Sequence, residues 1–273
     1  MKKSNLLLWG ATWYLLLLVE VSGFQKHCMP LRRNFAVKAQ LTNPAGSNQN
    51  SIEGSKQSNA PDVDGRAEKF LVKEQIESST SMLQKAAMTK KEDPDQVIEA
   101  LLNLEKLQRK LNKLDDGATS RETLQKLNGS WRLIFTTGTA DTQKKLGRKV
   151  NYFPIKAVQS FNTTDFSIEN GVYLGDFSLI KFGGDFEWIE KPRRLEFDFD
   201  RISLLGLPAF NLPKGGAAEI GKSTGLGAER NVEMVKAGAK PFFNWISAND
   251  EIATARGGGG GLALWKRVTV DSL

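Results

Sequence analysis

The chain has 273 residues, 40% of them hydrophobic and 25% charged, which fits a folded protein with a sizeable core and argues against intrinsic disorder. Seven of its 38 lysines and arginines but only two of its 31 acidic residues fall in the first 60 positions, so the net +7 drops to +2 over the rest; that removes the strongly basic surface that nucleic-acid binding requires. The single cysteine and single histidine, Cys28 and His27, are neighbours in this leader, and the remaining chain has no group for Ser-His-Asp or Cys-His catalysis, thiol chemistry or a zinc site with nitrogen and sulfur ligands. The expectation is a protein that is not an enzyme and carries no cofactor, no metal and no disulfide.

Lys2 and Lys3 precede an apolar run over residues 6–19, and Val21 and Gly23 are the small residues of a signal-peptidase site before Phe24. Residues 1–23 therefore read as a cleaved signal peptide, with an uncleaved anchor as the alternative. Residues 24–60 are rich in Ser, Asn and Gln and hold one acid, as in a transit peptide, and the mature start is expected beyond Cys28. The series resembles the bipartite presequences of algae whose plastids lie behind the endoplasmic reticulum. A secreted protein with a disordered N-terminal segment is the alternative, disfavoured by the lack of cysteine further on.

A helix is expected over residues 66–88, where Phe70, Ile76 and Leu83 recur. The next is better signalled: Asp93 suits the N-cap, Pro94 the first helical position, and Gln96 a capping box. Val97, Leu101, Leu104, Leu107, Leu111 and Leu114 then form one stripe ending near Gly117. The stripe could be a coiled-coil seam, but it spans barely three heptads, and packing on the protein's own sheet is preferred. Thr119 and Glu122 open a short third helix with Leu124 and Leu127 inward.

Residues 127–137, reading LNGSWRLIFTT, give the first strand, with Trp131, Leu133 and Phe135 on one face and Arg132, Ile134 and Thr136 on the other. Gly129 lets the chain turn into it. Further strands are expected at residues 157–162 and 166–169, then an Asn170-Gly171 hairpin turn, 172–182, a Gly183-Gly184 turn, and 185–190. Leu195, Phe197 and Phe199 alternate strictly with Glu196, Asp198 and Asp200. Alternate carboxylates lie roughly 7 Å apart, a separation compatible with inverting glycosidases, but an outward solvated face is the stronger reading. The last strand, residues 262–265, is apolar on both faces, as if the leading helices covered one of them. Many short antiparallel strands argue a barrel or sandwich, and two buried terminal strands favour closure.

Residues 203–239 form a long glycine-rich loop in which residues 216–223, GAAEIGKS, match the phosphate-loop pattern, with Lys222 and Ser223 in the phosphate and magnesium positions. The context is wrong. Pro208 and Pro213 stand where a buried strand should precede it, and Gly225 and Gly227 where a helix should follow, so a chance match is preferred to nucleotide binding. The start of the loop carries Leu205, Leu207 and Phe210 between glycine and proline breaks, an apolar segment read as a membrane contact, with a lid over the barrel as the alternative. The sequons at Asn128 and Asn162 fall at or in strands and read as unmodified.

The opening strand L-x-G-x-W-x-L-x-F-T-T resembles that of the plastid lipid-associated proteins, the plastid fibrillins. Asp250-Glu251-Ile252, Arg256-Gly257, the glycine run and residues 262–267, LALWKR, resemble the family's closing signature, and the likeness extends over about residues 91–268. It implies a mainly β, lipocalin-like antiparallel barrel behind two or three N-terminal helices: residues 66–270 in all, helices within 66–127, barrel within 129–270. It also implies non-catalytic binding or sequestration of carotenoids, prenyl quinones or other lipids at thylakoid membranes or plastoglobules, with a hydrophobic small molecule and the plastid membrane surface as partners. An interaction scaffold is the runner-up. Trp131, Phe135, Phe177, Phe186, Trp188, Phe197 and Phe199 are the candidate ligand-lining residues, plain core being the competing reading. Arg267 is expected to cap the Trp131 ring as a late arginine does in lipocalins, or else to form a salt bridge at a strand end.

Overall fold

The computed structural model describes residues 63–115, 117–138, 151–213, 215, 216, 219 and 237–268. The signal and transit expectations lie outside the described residues, as does all of the phosphate-loop match except Gly216 and Glu219.

Among the described residues three helices lead in: α1 (Val63–Thr89), α2 (Pro94–Leu114) and α3 (Ala118–Leu127). The Asp93 carboxylate accepts from the amides of Asp95 and Gln96, so α2 starts where its cap and Pro94 require. α3 begins one residue before the expected Thr119 because Asp115 caps it from upstream, accepting from the amides of Gly117 and Thr119. Gly117, at φ +79°, makes the turn between the two helices.

The strands are β1 (Gly129–Thr136), β2 (Lys156–Asn162), β3 (Ser167–Leu174), β4 (Phe177–Ile189), β5 (Arg194–Leu204), β6 (Phe210–Asn211), β7 (Phe242–Ala248), β8 (Ile252–Gly257) and β9 (Leu262–Arg267). They run antiparallel in the order β4-β3-β2-β1-β9-β8-β7-β5-β6, and the β4–β5 pairing joins the two arms. Eight strands thus close a ring, with β6 a two-residue stub on β5. The mainly β barrel behind N-terminal helices is the architecture expected from the sequence.

Two cores sit on opposite faces of the same strands. Inside the ring lie Trp131, Leu133, Phe161, Phe186, Phe197, Phe243, Trp245 and Trp265. Outside, Leu83 and Ala86 of α1 and Val97, Leu101 and Leu104 of α2 pack on Ile134, Phe135, Ile246, Ile252, Leu262 and Leu264. The leucine stripe therefore ends on the protein's own sheet, and the double-sided apolar character of β9 is explained: Ala263 and Trp265 point in, Leu262 and Leu264 toward the helices.

Three local expectations are corrected. The alternation of β1 breaks at a bulge between Leu133 and Phe135, where one extra residue opposes Trp265 and Leu264; Phe135 thereby crosses from the face of Trp131 to the helix side. Asn170-Gly171 is not a turn but lies within β3, where Gly171 leaves room for the ring of Tyr173, and the reversal comes at Gly175, φ +62°. Gly183-Gly184 likewise lies inside β4 beside a bulge in β5. A Cβ on Gly184 would overlap the carbonyl of Asp198, so the glycine permits close backbone approach and not a turn.

Candidate functional site

One end of the barrel is sealed by residues from both chain signatures. Trp131 is fully buried, and its indole N–H donates to the carbonyl of Leu127 at 2.8 Å, tying β1 to the last turn of α3. Arg267 lies over the ring at 4.1 Å and donates to four carbonyls: Lys126 (2.5 Å), Asn128 (2.8 Å), Asp250 (3.0 Å) and Asn249 (3.2 Å). The capping geometry is what forms. The Asp250 carboxylate pairs instead with Lys126 at 2.8 Å. Gly129 belongs to the same unit: its φ is +113°, and a Cβ there would stand 3.0 Å from the Arg267 guanidinium.

Above this seal the interior is aromatic. Phe197 stacks on Phe243 at 5.5 Å, and Trp265 meets Phe243 at 5.8 Å and Trp245 at 5.2 Å. Of the expected lining residues, Trp131, Phe186 and Phe197 are buried here, and Trp188 and Phe199 pack against the cluster partly exposed. Phe135 is on the helix side, and Phe177 stands at the far end, 52% exposed.

Sequence reasoning missed Phe161, Phe243, Trp245 and Trp265, although the alternation of Phe243 and Trp245 in β7 was a readable strand signal. It also missed two amides. Gln159 and Asn170 are registered neighbours on β2 and β3, both at the parity that points inward, and are 0% and 1% exposed. None of their four side-chain polar atoms finds a hydrogen-bond partner among the described residues, nor do the indole nitrogens of Trp188, Trp245 and Trp265. An unmet buried polar group costs about 1–3 kcal/mol, so these atoms are the costly feature of an otherwise apolar interior.

The opposite end carries an exposed apolar surface. Leu174 and Phe177 flank the β3–β4 turn; Leu204, Leu205 and Leu207 follow β5, and Phe210 sits on β6; all six are between 43% and 60% exposed. The backbone beneath them is held, with the amide of Leu205 bonded to the Leu179 carbonyl and that of Leu207 to Leu204, each at 2.9 Å. Inward from this rim, the partly buried Ile180 and Phe199 pack both against the aromatic interior and against Phe182 and Ile202.

Two charged surfaces are self-contained. Glu196, Asp198 and Asp200 lie on the outer side of β5, where Arg194 and Arg201 pair with the first and last. A groove of about 870 Å³ along the outside of β1–β5 is lined by Lys181, Glu169, Arg201 and Asp185, which pair with one another at 3.0 and 3.7 Å.

In comparisons with known proteins, the PAP_fibrillin family model matches residues 71–264, taking in α2, α3, most of α1 and the ring up to the middle of β9. No curated protein and no solved structure matches the chain.

Proposed function

The chain belongs to the PAP_fibrillin family, the plastid lipid-associated proteins, and from that premise we propose that its barrel binds a hydrophobic small molecule bearing a carbonyl or hydroxyl oxygen, without catalysis. Prenyl quinones and the oxygenated carotenoids are of this kind, whereas the hydrocarbon carotenes are not. The carrying observation is the pair Gln159 and Asn170, two unmet amides facing an otherwise aromatic interior. An amide pair offers both donors and acceptors, and a ligand oxygen would supply hydrogen bonds that Gln159 and Asn170 do not find among the described residues. In this reading the functional unit spans residues 66–270 and works at thylakoid membranes or plastoglobules, in a plastid reached through the endoplasmic reticulum.

Changing Gln159 and Asn170 to Leu separates this role from a structural one. Removing unpaired polar groups leaves the melting temperature unchanged or raises it, while quinone affinity, followed by quenching of the interior tryptophans, falls about tenfold. Unchanged affinity, or a fall in melting temperature, would sink the reading.

The rim gives the ligand its route. Leu205, Leu207 and Phe210, with Phe177 and Leu174 beside them, dip into the lipid surface, so that an apolar molecule passes from bilayer to barrel without crossing water. At about 1.5 kcal/mol or more per large side chain withdrawn from water, the three loop residues supply roughly a thousandfold or more in membrane affinity. Replacing them with Ser abolishes flotation with plastid-lipid vesicles at unchanged melting temperature. A lowered melting temperature with flotation intact would instead identify the segment as a lid.

A further inference from the structure

On the flank of the barrel, at its sealed end, a cleft of about 960 Å³ opens between α2, the start of α3 and the β4–β5 turn. Its lining is mostly basic: among the described residues Arg109, Lys113, Arg121, Lys191, Arg193 and Arg194 stand against Glu105 and Glu190, and Arg194 is already paired with Glu196 on β5. Both carboxylates are already engaged, Glu105 by Arg256 and Arg109, and Glu190 by Arg121 at 2.8 Å. Asp115 nearby is occupied in capping α3.

Arg193 is the anomaly in this lining. Only 4% exposed, it has a single side-chain hydrogen bond, to the neutral Gln108 amide at 3.4 Å, and no carboxylate in ion-pair range among the described residues. Burial pushes its guanidinium down to about 10, only partly countered by the charge of Asp115. Its backbone, at φ +50°, is held by bonds between its amide and the Glu190 carbonyl (3.0 Å) and between its carbonyl and the Trp245 amide (2.8 Å). Only Nη1 of this guanidinium finds a protein acceptor among the described residues, while Nε and Nη2 are not sealed from solvent, so an anion entering the cleft can reach them. The Asn112 side-chain amide oxygen lining the same cleft is also buried without a partner among the described residues, so the pocket can receive a proton-bearing oxygen beside the anionic ones.

We propose that this cleft binds a phosphate or diphosphate group, with Arg193 as the fixed central donor and Lys113 and Lys191 closing over it from the surface. The site is separate from the barrel mouth and does not depend on the interior ligand.

The full-length protein is titrated with inorganic phosphate and with pyrophosphate at low ionic strength, and floated with phosphatidylcholine vesicles with and without phosphatidic acid. Saturable pyrophosphate binding assigns a soluble phosphate ligand. Selective capture by phosphatidic acid, without pyrophosphate binding, assigns a lipid headgroup. Arg193→Met weakens whichever binding is seen by at least about tenfold and raises the unliganded melting temperature, because the uncompensated charge is gone. The surface pair Lys113→Gln and Lys191→Gln weakens it about fivefold with melting unchanged, and the loss grows smaller as salt screens the charges. Absence of binding in both assays overturns the proposal, and so does binding that neither set of substitutions alters.

Discussion

Trp131→Ala is expected to lower the melting temperature by roughly 10 °C, the largest effect of any single interior truncation in the ring. Removing a fully buried tryptophan costs about 3–5 kcal/mol, and a domain of this size loses about 2–4 °C per kcal/mol. The loss reaches beyond the cavity. The Leu127 carbonyl at the end of α3 loses its donor, and the Arg267 guanidinium loses the ring that holds it flat under four carbonyls drawn from α3, the start of β1 and the β7–β8 turn. Trp131→Phe isolates the loss of the Leu127 hydrogen bond, since it keeps an aromatic face under Arg267 but not the indole N–H, and should cost about 1–2 kcal/mol. Urea unfolding followed by circular dichroism measures both. A Trp131→Ala variant within 1 kcal/mol of the parent would mean that the seal is dispensable.

That seal was legible in the sequence because it is built from a short motif at each end of the ring. Gly129, Trp131 and Arg267 are individually unusual, and each does what its chemistry suggests. The interior was legible only in part. Period-two reading placed Phe186 and Phe197 correctly, but it cannot see a bulge, and the one extra residue after Leu133 sent Phe135 to the helices. The two glycine pairs misled for a related reason: local turn propensity yields to tertiary contact when Tyr173 lies on Gly171 and the Asp198 backbone closes on Gly184. Gln159 and Asn170 carried no sequence signal at all. A polar residue at an inward position looks like a break in alternation, and only closure of the ring shows that both amides point to the same interior without a partner among the described residues. Arg193 was equally silent, one basic residue in a KPRR run whose burial depends on where α2 and α3 come to rest.

How α2 is fixed there leads to the second large effect, at Glu105. Its carboxylate accepts from Arg256 of β8 through both Nε (2.9 Å) and Nη2 (2.6 Å), and from Arg109 of its own helix at 2.7 Å, so one residue pins the helix layer to the ring. Burial alone would push this carboxyl up, but the hydrogen bonds and charge of Arg256, joined by Arg109, outweigh it and hold the group below the usual carboxylate range. A carboxyl depressed in the folded state stabilises the protein above its unfolded value, and that stability is lost as pH falls through the folded value. The melting temperature should therefore be insensitive to this group above about pH 5 and fall in more acidic solution, and Glu105→Gln should flatten that part of the profile. Glu105→Leu at neutral pH should cost about 3 kcal/mol, because Arg256 is left half-buried and unpaired. Adding Arg256→Leu should restore most of the loss, since replacing both charges with apolar groups removes the penalty along with the attraction. If the double variant is no more stable than Glu105→Leu alone, the pair does not act as a unit, and α2 is held by Leu101 and Leu104 on the outer face of the ring instead.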